Sequence, residues 1–481
     1  MVIRTQPPRL PPLLDFLFYS AKRRAAEKIE RRSSDVLRQL VQFVGSEIPF
    51  YREHWRSAGV NLAEFRGTPD LPSLPFTDKN LIVGAGAAAI GATAQDEVVV
   101  MSTSGTSGRA IHVQRTRIEM RQMRRGLLRY LFCNGLRPWH RVVTFASPWL
   151  HTRRGAFIQR FCKTSFIAAD ADFDAQIKTL QNYAGTGKPA EALIGQTGGI
   201  YLLARELLRR GLTIPLRAVA PTGTTVMAEM RRAMREAFQT DPIDLYGAIE
   251  LGPVAWQCRR GNYHVDIDRV IVEIVDDQGR PLPRGKFGQV VCTALYAAHM
   301  PFIRYRLLDI SALSTRRCDC GLTLPLMEPI QGRINDFLPT LRGDLVSPHF
   351  FFHLFDATGK SPVKEWRLIQ PDLRNLVYEY VPEADFDPGA FELGMQRIRD
   401  RMGPECALRT QRVDAVPMGA TGKRTCIVSM LRPAIVSASQ SWVGERLDSA
   451  LAGDGATYHF NMDVYANAVQ AAPVAVAGVN Q

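Results

Sequence analysis

Long apolar runs are missing from this sequence of 481 residues. No stretch approaches the length needed to cross a membrane, and the apolar patch Leu13–Tyr19 is much too short to do so. The first ten residues also lack the apolar core of a signal peptide. The sequence therefore predicts a cytoplasmic protein with no membrane partner.

Cysteine is scarce as well. Eight cysteines in a chain of this length are too few for a disulfide-stabilised scaffold, so their local spacing matters more than their number. Acidic residues are fewer than basic ones, 47 against 60, which leaves a net charge of +13. The basic runs Lys22–Arg32 and Arg115–Arg129 lack regularly interleaved aromatic residues, so we interpret them as solvated helix faces. They favour an anionic substrate or an acidic acyl-carrier protein as partner over nucleic acid.

The chain is too long for one hydrophobic core, and its length predicts several domains. Predicted strands alternate with predicted helices between Val142 and Leu245, which indicates an α/β fold with a largely parallel sheet. The predicted strands are Val142–Phe145, Ala190–Leu193, Leu216–Val219 and Pro242–Leu245, and the predicted helices are Ile200–Arg210 and Ala228–Phe238. After Gly252, β-branched segments joined by turn residues predict a β-rich subdomain over about 253–330. The predicted divisions are an N-terminal extension (1–34), a large multi-layer N-terminal domain (35–334), a small α+β C-terminal domain (335–431) and a tail (432–481).

The stretch Val98–Val113 predicts two short strands joined by a loop of hydroxyl residues and glycines. Glycine allows the backbone to approach a phosphate closely, and hydroxyl and N–H groups can donate hydrogen bonds to its oxygens. The loop is not the common P-loop, because the Gly-Lys-Ser/Thr ending is missing. Taken alone, it is explained equally well as an ordinary polar hairpin turn. Its residues are Thr103, Ser104, Gly105, Thr106, Ser107 and Gly108.

Four more short polar segments follow predicted strands, where ligand-binding loops commonly lie. Leu245–Glu250 offers an aromatic ring and a carboxylate, and Ile303–Asp309 ends in a second carboxylate. Gln331–Asp336 is a cationic turn near the predicted domain boundary, and Pro417–Arg424 is a glycine-rich loop with a lysine. Each segment has an ordinary alternative, namely a strand end, a salt-bridged turn or a surface hairpin. The inference therefore depends on their order and spacing along the chain.

Together these motifs resemble those of the acyl-adenylate-forming enzymes, and specifically the phenylacetate–CoA ligase-like branch. The Ser/Thr-Ser-Gly-Thr-Thr-Gly loop of that branch resembles residues 103–108, and its Tyr-Gly-x-Ser/Thr-Glu motif resembles 246–250. Its Arg-Tyr-Arg-Thr-Gly-Asp motif resembles 304–309, and its Gly-Arg-x-Asp-Asp motif resembles 332–336. The segment Leu74–Thr77 is also typical of the branch. The resemblance extends from about residue 35 to residue 431, in the expected order.

The resemblance implies a reaction in two steps. A carboxylate attacks the α-phosphorus of ATP to give an acyl-adenylate and pyrophosphate, and a nucleophile then displaces AMP. The predicted acid is aromatic, on the basis of Phe145 and Trp149, although core packing explains these side chains equally well. The implied acceptor is CoA, the phosphopantetheine thiol of a carrier protein, or an amine. The resemblance also implies ATP and Mg²⁺ as ligands. The C-terminal domain is expected to rotate about the turn near Asn335 between the two steps.

The residues of the site follow from the same resemblance. Lys423 would neutralise the charge that develops between the carboxylate and the α-phosphate, and Glu250 would bind Mg²⁺. Asp309 would hold the ribose hydroxyls, Arg333 would contact ribose or phosphate, and Tyr246 would stack near adenine. The remaining predicted nucleotide-binding residues are 103–108, Thr222, Gly223 and Gly247. The predicted acyl pocket comprises Phe145, Trp149, Gln196 and Gly198.

Cys258 and His264 precede the β-branched segments of the predicted subdomain, and Cys318 and Cys320 follow them. By their spacing alone, buried thiols are the simpler interpretation. Several members of the phenylacetate–CoA ligase-like branch carry zinc at the corresponding positions. Three thiolates and one imidazole complete a tetrahedral zinc site with no open position. The resemblance therefore implies a structural Zn²⁺.

The sequence departs from the motifs of the branch at several positions. Ile249 replaces the hydroxyl residue that contacts the AMP phosphate, Leu307-Leu308 replace Thr-Gly, and Asn335 occupies the hinge aspartate. Thr224-Thr225 stand where many relatives have an acidic residue. These departures predict a specialised or slow enzyme. They leave open nucleotidyl transfer onto a coenzyme and a nucleotide-binding homologue that has lost catalysis. The sequence does not predict the oligomeric state.

Overall fold

The computed structural model describes most of the chain between residues 26 and 431 and one short segment beyond it. The described residues are 26–91, 98–102, 111–137, 139–146, 164–168, 172–276, 278–332, 338–342, 344–346, 350–351, 354–355, 361–417, 426–431 and 457–459.

The chain divides into two compact units. The first comprises Met1–Glu273, Val291–Leu307 and Leu313–Pro329, and the second comprises Ile274–Val290, Leu308–Ala312 and Ile330–Gln481. The second unit thus contains two segments from the region predicted as the β-rich subdomain, as well as the predicted C-terminal domain. The domain limits predicted from the sequence remain predictions.

The first helix of the described chain, α1, runs through the predicted boundary at residue 34. Its buried face is Leu37, Leu40, Val41 and Val44, which follow one another at helical spacing. Pro49 cannot continue α1 and occupies the first turn of α2 instead. No helix of the described residues is long and apolar enough to span a membrane. The helices are α1 (Ala26–Glu47), α2 (Pro49–Ser57), α3 (Lys79–Ala85), α4 (Arg117–Cys133), α5 (Phe173–Gln181), α6 (Thr197–Arg209), α7 (Ala228–Phe238) and α8 (Pro388–Met402).

An eight-stranded sheet organises the first unit. Five of its strands are parallel, and the connections between them that the structure describes are helical, as the alternating sequence pattern predicts. Helices α6 and α7 bury Leu203, Leu207, Met234 and Phe238 in one core with Leu193 of the sheet. The parallel strands, in spatial order, are β4 (Thr164–Ala168), β3 (Val142–Ala146), β5 (Ala192–Gln196), β6 (Ala218–Thr222) and β7 (Leu245–Ala248).

The sheet continues beyond β7 as an antiparallel extension. It consists of β8 (Gly252–Gln257), β9 (Tyr263–Val265) and β13 (Leu326–Met327), in that spatial order. A separate sheet of three strands contains β10 (Val270–Val275), β11 (Gly288–Ala294) and β12 (Tyr305–Ser311). The strands β1 (Val99–Ser102) and β2 (His112–Arg115) pair in antiparallel register, and the predicted phosphate-binding residues 103–108 lie between them in the sequence.

The second unit contains a four-stranded mixed sheet with α8 packed on it. Tyr378 of the sheet and Phe391, Met395 and Ile398 of α8 are buried in one core. The sheet strands are β18 (Ala407–Arg412), β17 (Asn375–Pro382), β16 (Val363–Asp372) and β19 (Ile427–Ser429), in spatial order. A smaller sheet is formed by β14 (Leu338–Pro339), β15 (Asp344–Val346) and β20 (Thr457–His459). Helices with parallel and antiparallel sheets confirm the predicted α/β class.

Candidate functional site

The carboxyl ends of β5, β6 and β7 bring several predicted residues together. Parallel strands present their carboxyl ends at one edge of a sheet, where α/β proteins bind their ligands. Gln196 pairs with Thr222, and Thr222 pairs with Leu245, directly before Tyr246. Gln196 is exposed and Thr222 half-buried. The predicted acyl-pocket and nucleotide residues of these strands therefore share one edge.

Hydrogen bonds from two threonine hydroxyl groups fix the backbone at this edge. The buried Thr197 Oγ1 donates to the carbonyl oxygens of Thr222 at 3.2 Å and Thr224 at 3.0 Å. Thr222 Oγ1 donates to the carbonyl oxygen of Leu245 at 3.0 Å. The anchoring role of Thr197 was not predicted, because it depends on contacts with residues 25 and 27 positions away.

Gly247 of the Tyr-Gly pair is needed for a close approach between two strands. A Cβ atom at this position would lie 2.4 Å from the carbonyl oxygen of Gly252, which is too close for any larger residue. Gly252 itself has a φ of +68° and begins β8, so the chain reverses here within a few residues. The sharp reversal places Glu250 in the turn between β7 and β8.

Glu250 is buried, and two residues hold it from different sides. The Tyr305 hydroxyl donates a hydrogen bond to Glu250 Oε1 at 3.1 Å. The fully buried Arg115 donates to the main-chain carbonyl oxygens of Glu250 at 2.5 Å and Met300 at 2.8 Å. Neither Arg115 nor Tyr305 was predicted to have a role in the site. The Arg-Tyr-Arg motif marks Tyr305 in the sequence, but it does not identify the residue that accepts the hydrogen bond from the phenol.

The segment before Tyr305 is tightly anchored. Arg304 has a φ of +46°, which is unusual for a residue with a side chain. Its guanidinium forms an ion pair with Glu273 at 3.0 Å and donates hydrogen bonds to the carbonyl oxygens of Pro72 and Leu74. The Phe76 ring lies 4.1 Å from this guanidinium. These contacts stabilise a backbone conformation that would be unfavourable by itself.

Asp309, predicted to hold the ribose, lies on β12 and is buried. The preceding Leu308 has a φ of +63°, in the left-handed region. The resembling branch has glycine at this position of the motif, and glycine adopts that conformation freely. Leu308 therefore adopts a conformation that glycine would adopt at a lower energetic cost.

The strain at Leu308 is testable by comparing two glycine substitutions. Leucine in the left-handed region costs about 1–2 kcal/mol, whereas the neighbouring Leu307, which is equally half-buried, has no positive φ. We expect Leu308→Gly to lower the thermal unfolding midpoint less than Leu307→Gly does, by a few degrees. Differential scanning calorimetry measures both. Equal losses would show that Leu308 is not strained.

Phe145, predicted to line the acyl pocket, lies at the end of β3 and is buried in the core shared with α6 and α7. A Cβ atom at Gly195 would lie 2.5 Å from Phe145 Cβ, so glycine is needed beside this ring. Gly198 is exposed in the first turn of α6. The pocket role of Phe145 and Gly198 remains a prediction.

Several predicted residues lie outside the described part of the chain. They are Thr103, Ser104, Gly105, Thr106, Ser107, Gly108, Trp149, Arg333, Asn335 and Lys423.

The four residues predicted to bind zinc are brought together. The ligand atoms of Cys258, His264, Cys318 and Cys320 all lie within 4.8 Å of one another. Cys258 Sγ and Cys318 Sγ are 3.7 Å apart, and Cys320 Sγ lies 3.3 Å from His264 Nε2. A tetrahedral zinc site requires about 3.8 Å between two sulfurs and ~3.5 Å between sulfur and nitrogen. These two separations match those of a zinc site.

The surroundings of the cluster influence the protonation states of its ligand atoms. His264 Nδ1 lies 3.3 Å from the carbonyl oxygen of Leu324, and a hydrogen bond there leaves Nε2 free to accept a metal. Burial lowers the pKa of His264, which keeps the imidazole neutral. Burial also raises the pKa of the Cys320 thiol to about 12. A cation would favour ionisation of the thiols in such a cluster.

The cluster is connected to the predicted nucleotide-binding edge through the sheet. His264 of β9 pairs with Trp256 of β8, and Trp256 pairs with Leu245 of β7. The Trp256 and His264 rings lie 5.5 Å apart. Since Leu245 also pairs with Thr222, a continuous row of paired residues crosses the sheet from the cluster to the edge.

Solved structures define the class of the fold. A 2-hydroxyisobutyryl-CoA ligase in the postadenylation state, in complex with 2-HIB-AMP, superposes with a TM-score of 0.72. The sequences are 18% identical, and the alignment covers 90% of this chain and 97% of that one. The chain therefore has the fold of an acyl-CoA ligase.

Curated relatives define the family. A phenylacetate-coenzyme A ligase of Thermus thermophilus is 30% identical over 336 residues, which cover 67% of this chain and 74% of the relative. One from Pseudomonas putida is 25% identical over 354 residues, which cover 69% and 78%. No protein-family model matches the chain. The chain belongs to the phenylacetate–CoA ligase family of acyl-adenylate-forming enzymes. The predicted branch and the predicted ligase class are therefore confirmed.

Proposed function

We propose that this enzyme activates a carboxylic acid with ATP as an acyl-adenylate and transfers the acyl group to CoA. Membership of the phenylacetate–CoA ligase family supports the overall reaction. The arrangement around Glu250 connects this reaction with particular residues. Glu250 follows β7, its carboxylate is buried, and Tyr305 donates a hydrogen bond to one of its oxygens. A carboxylate so placed suits a reaction that depends on positioning and charge neutralisation.

Glu250 would hold Mg²⁺ through a carboxylate oxygen, a hard ligand of the kind that Mg²⁺ prefers. The observation that favours this fit is that Tyr305 occupies only one of its two oxygens. Bound there, the ion would neutralise phosphate charge. The acid would lie near Gln196 and Gly198, at the edge that would also present Thr222, Gly223 and Tyr246 to the nucleotide.

Further roles rest on the motifs alone. Asp309 would accept hydrogen bonds from the ribose hydroxyls, and Arg333 would contact ribose or phosphate. The 103–108 loop would donate hydrogen bonds to the phosphates that leave as pyrophosphate. Lys423 would stabilise the charge between the attacking carboxylate and the α-phosphate. The C-terminal domain would rotate near Asn335 between the two half-reactions.

We propose an aromatic acid as substrate, with phenylacetate as the first candidate because the curated relatives are named for it. The test is ATP–pyrophosphate exchange with phenylacetate, other aryl acids and fatty acids, followed by mass spectrometry of the products with CoA. Acid-dependent exchange and an acyl-CoA product are expected. Exchange without an acyl-CoA product would indicate that the acyl acceptor is a carrier-protein thiol or an amine. Absence of exchange with every acid would refute adenylation.

We also propose that Cys258, His264, Cys318 and Cys320 hold a structural Zn²⁺. Three thiolates and an imidazole at the measured separations fill a tetrahedral shell, so no position remains for substrate. The metal would stabilise the antiparallel extension that carries His264, and it would take no part in the chemistry. Metal analysis of the purified protein should give about one zinc per chain, and a ratio near zero would refute the site.

A further inference from the structure

The side chain of Glu250 has a defined orientation before any ligand is considered. Its Oε1 accepts the hydrogen bond from the Tyr305 phenol at 3.1 Å. Among the described residues, no hydrogen-bond donor reaches Oε2. The phenol carries the proton and the carboxylate oxygen is an acceptor, so Tyr305 donates this hydrogen bond. Within the described part of the chain, one carboxylate oxygen is therefore occupied and the other is available.

Main-chain hydrogen bonds on both sides of Tyr305 fix its backbone and so limit the movement of its hydroxyl group. Thr77 N donates to the Arg304 carbonyl oxygen at 3.0 Å, and Arg306 N donates to the Thr77 carbonyl oxygen at 2.9 Å. These two bonds enclose Tyr305 from both sides along the chain. The Tyr305 ring also meets the Phe302 ring edge-on, with centroids 5.0 Å apart. The phenol therefore points at Glu250 without needing a ligand to order it.

A carboxylate with one oxygen occupied coordinates a cation differently from a free one. Mg²⁺ requires near-ideal octahedral geometry and is served by a single carboxylate oxygen, whereas Ca²⁺ accepts more ligands and commonly takes both oxygens of a carboxylate. Capping Oε1 therefore favours the smaller ion. The distinction depends on the ligand atoms offered, not on the total charge of the site.

We propose that Tyr305 is a positioning residue that caps Glu250 Oε1 and so makes Glu250 a single-oxygen ligand selective for Mg²⁺ over Ca²⁺. This inference rests on the proposed role of Glu250 in holding the ion that accompanies ATP. It adds a specificity determinant that lies outside the residues contacting the nucleotide.

The experiment measures ATP binding by isothermal titration calorimetry with Mg²⁺, with Ca²⁺ and with EDTA. In the unmodified enzyme, MgATP should bind more tightly than CaATP. Tyr305→Phe removes one oxygen and keeps the ring, and it should reduce this preference at least threefold. The matched control is Tyr296→Phe. It removes a similarly buried hydroxyl that donates to the Leu251 carbonyl oxygen at 2.7 Å and leaves the Glu250 carboxylate alone. Its metal preference should be unchanged.

An unchanged preference in Tyr305→Phe would overturn the inference, and so would an equal change in Tyr296→Phe. If Tyr305→Phe does not fold, Glu250→Asp gives the same test, because the shorter side chain withdraws the carboxylate from the phenol. Its preference must also fall, and an unchanged preference would overturn the inference. Glu250→Gln separates this inference from the proposed function. If that variant still binds ATP with normal metal dependence, the metal-binding role of Glu250 itself is wrong.

Discussion

Replacing Glu250 with glutamine is expected to lower acid-dependent ATP–pyrophosphate exchange by ~10²–10³-fold, the usual loss when one preorganised electrostatic contact is removed. Glutamine has nearly the same shape as glutamate and can still accept the Tyr305 hydrogen bond, so the fold should persist. What it lacks is the negative charge and the second carboxylate oxygen that would hold Mg²⁺. The expected loss is therefore one of catalysis.

Exchange is measured with phenylacetate at saturating ATP, over a range of Mg²⁺ concentrations. Higher Mg²⁺ should restore little activity, because the ligand itself is missing. The matched control is Glu328→Gln, which makes the same chemical change at a half-buried glutamate paired with Arg316 at 3.0 Å. That variant should exchange normally. Exchange in Glu250→Gln within threefold of the unmodified enzyme would contradict the assigned role.

Replacing Cys320 with serine is expected to lower the zinc content well below one per chain and the thermal midpoint by about 5–10 °C. A hydroxyl group is a poor ligand for zinc, and the remaining two thiols and imidazole leave the shell incomplete. Without the metal, β9 and the Cys318–Cys320 segment lose the bonds that would join them. The unmodified protein treated with a strong chelator should show the same lowered midpoint.

Zinc content is measured by mass spectrometry of metals, and the midpoint by scanning calorimetry. Cys133→Ser is the control, because Cys133 is an exposed cysteine at the end of α4 and is not part of the cluster. Its zinc content and midpoint should match those of the unmodified protein. A Cys320→Ser variant with full zinc content would show that the metal does not depend on this thiol.

Local patterns in the sequence were sufficient for many elements. The helix at Ala228–Phe238 was predicted with its observed limits, because its amphipathic spacing is unbroken. The predicted strand at Pro242–Leu245 is found at Leu245–Ala248 instead, since tertiary pairing with β6 and β8 determines which residues extend. Predicted strands elsewhere are displaced by a few residues at most, as at Val142–Ala146.

The order of motifs along the chain by itself determined the family and the ligase class, and it led to the four residues of the proposed zinc site. Such motifs are short runs of neighbouring residues, so they can be recognised from the sequence without the folded structure. The contacts of Glu250 with Tyr305 and Arg115 were decided only by the tertiary structure, because their partners lie 55 and 135 positions apart in the chain. The left-handed conformation of Leu308 also required the folded backbone, since leucine gives no local signal for it. Residue identity determines what a side chain can do, and packing between distant segments decides which atoms it meets.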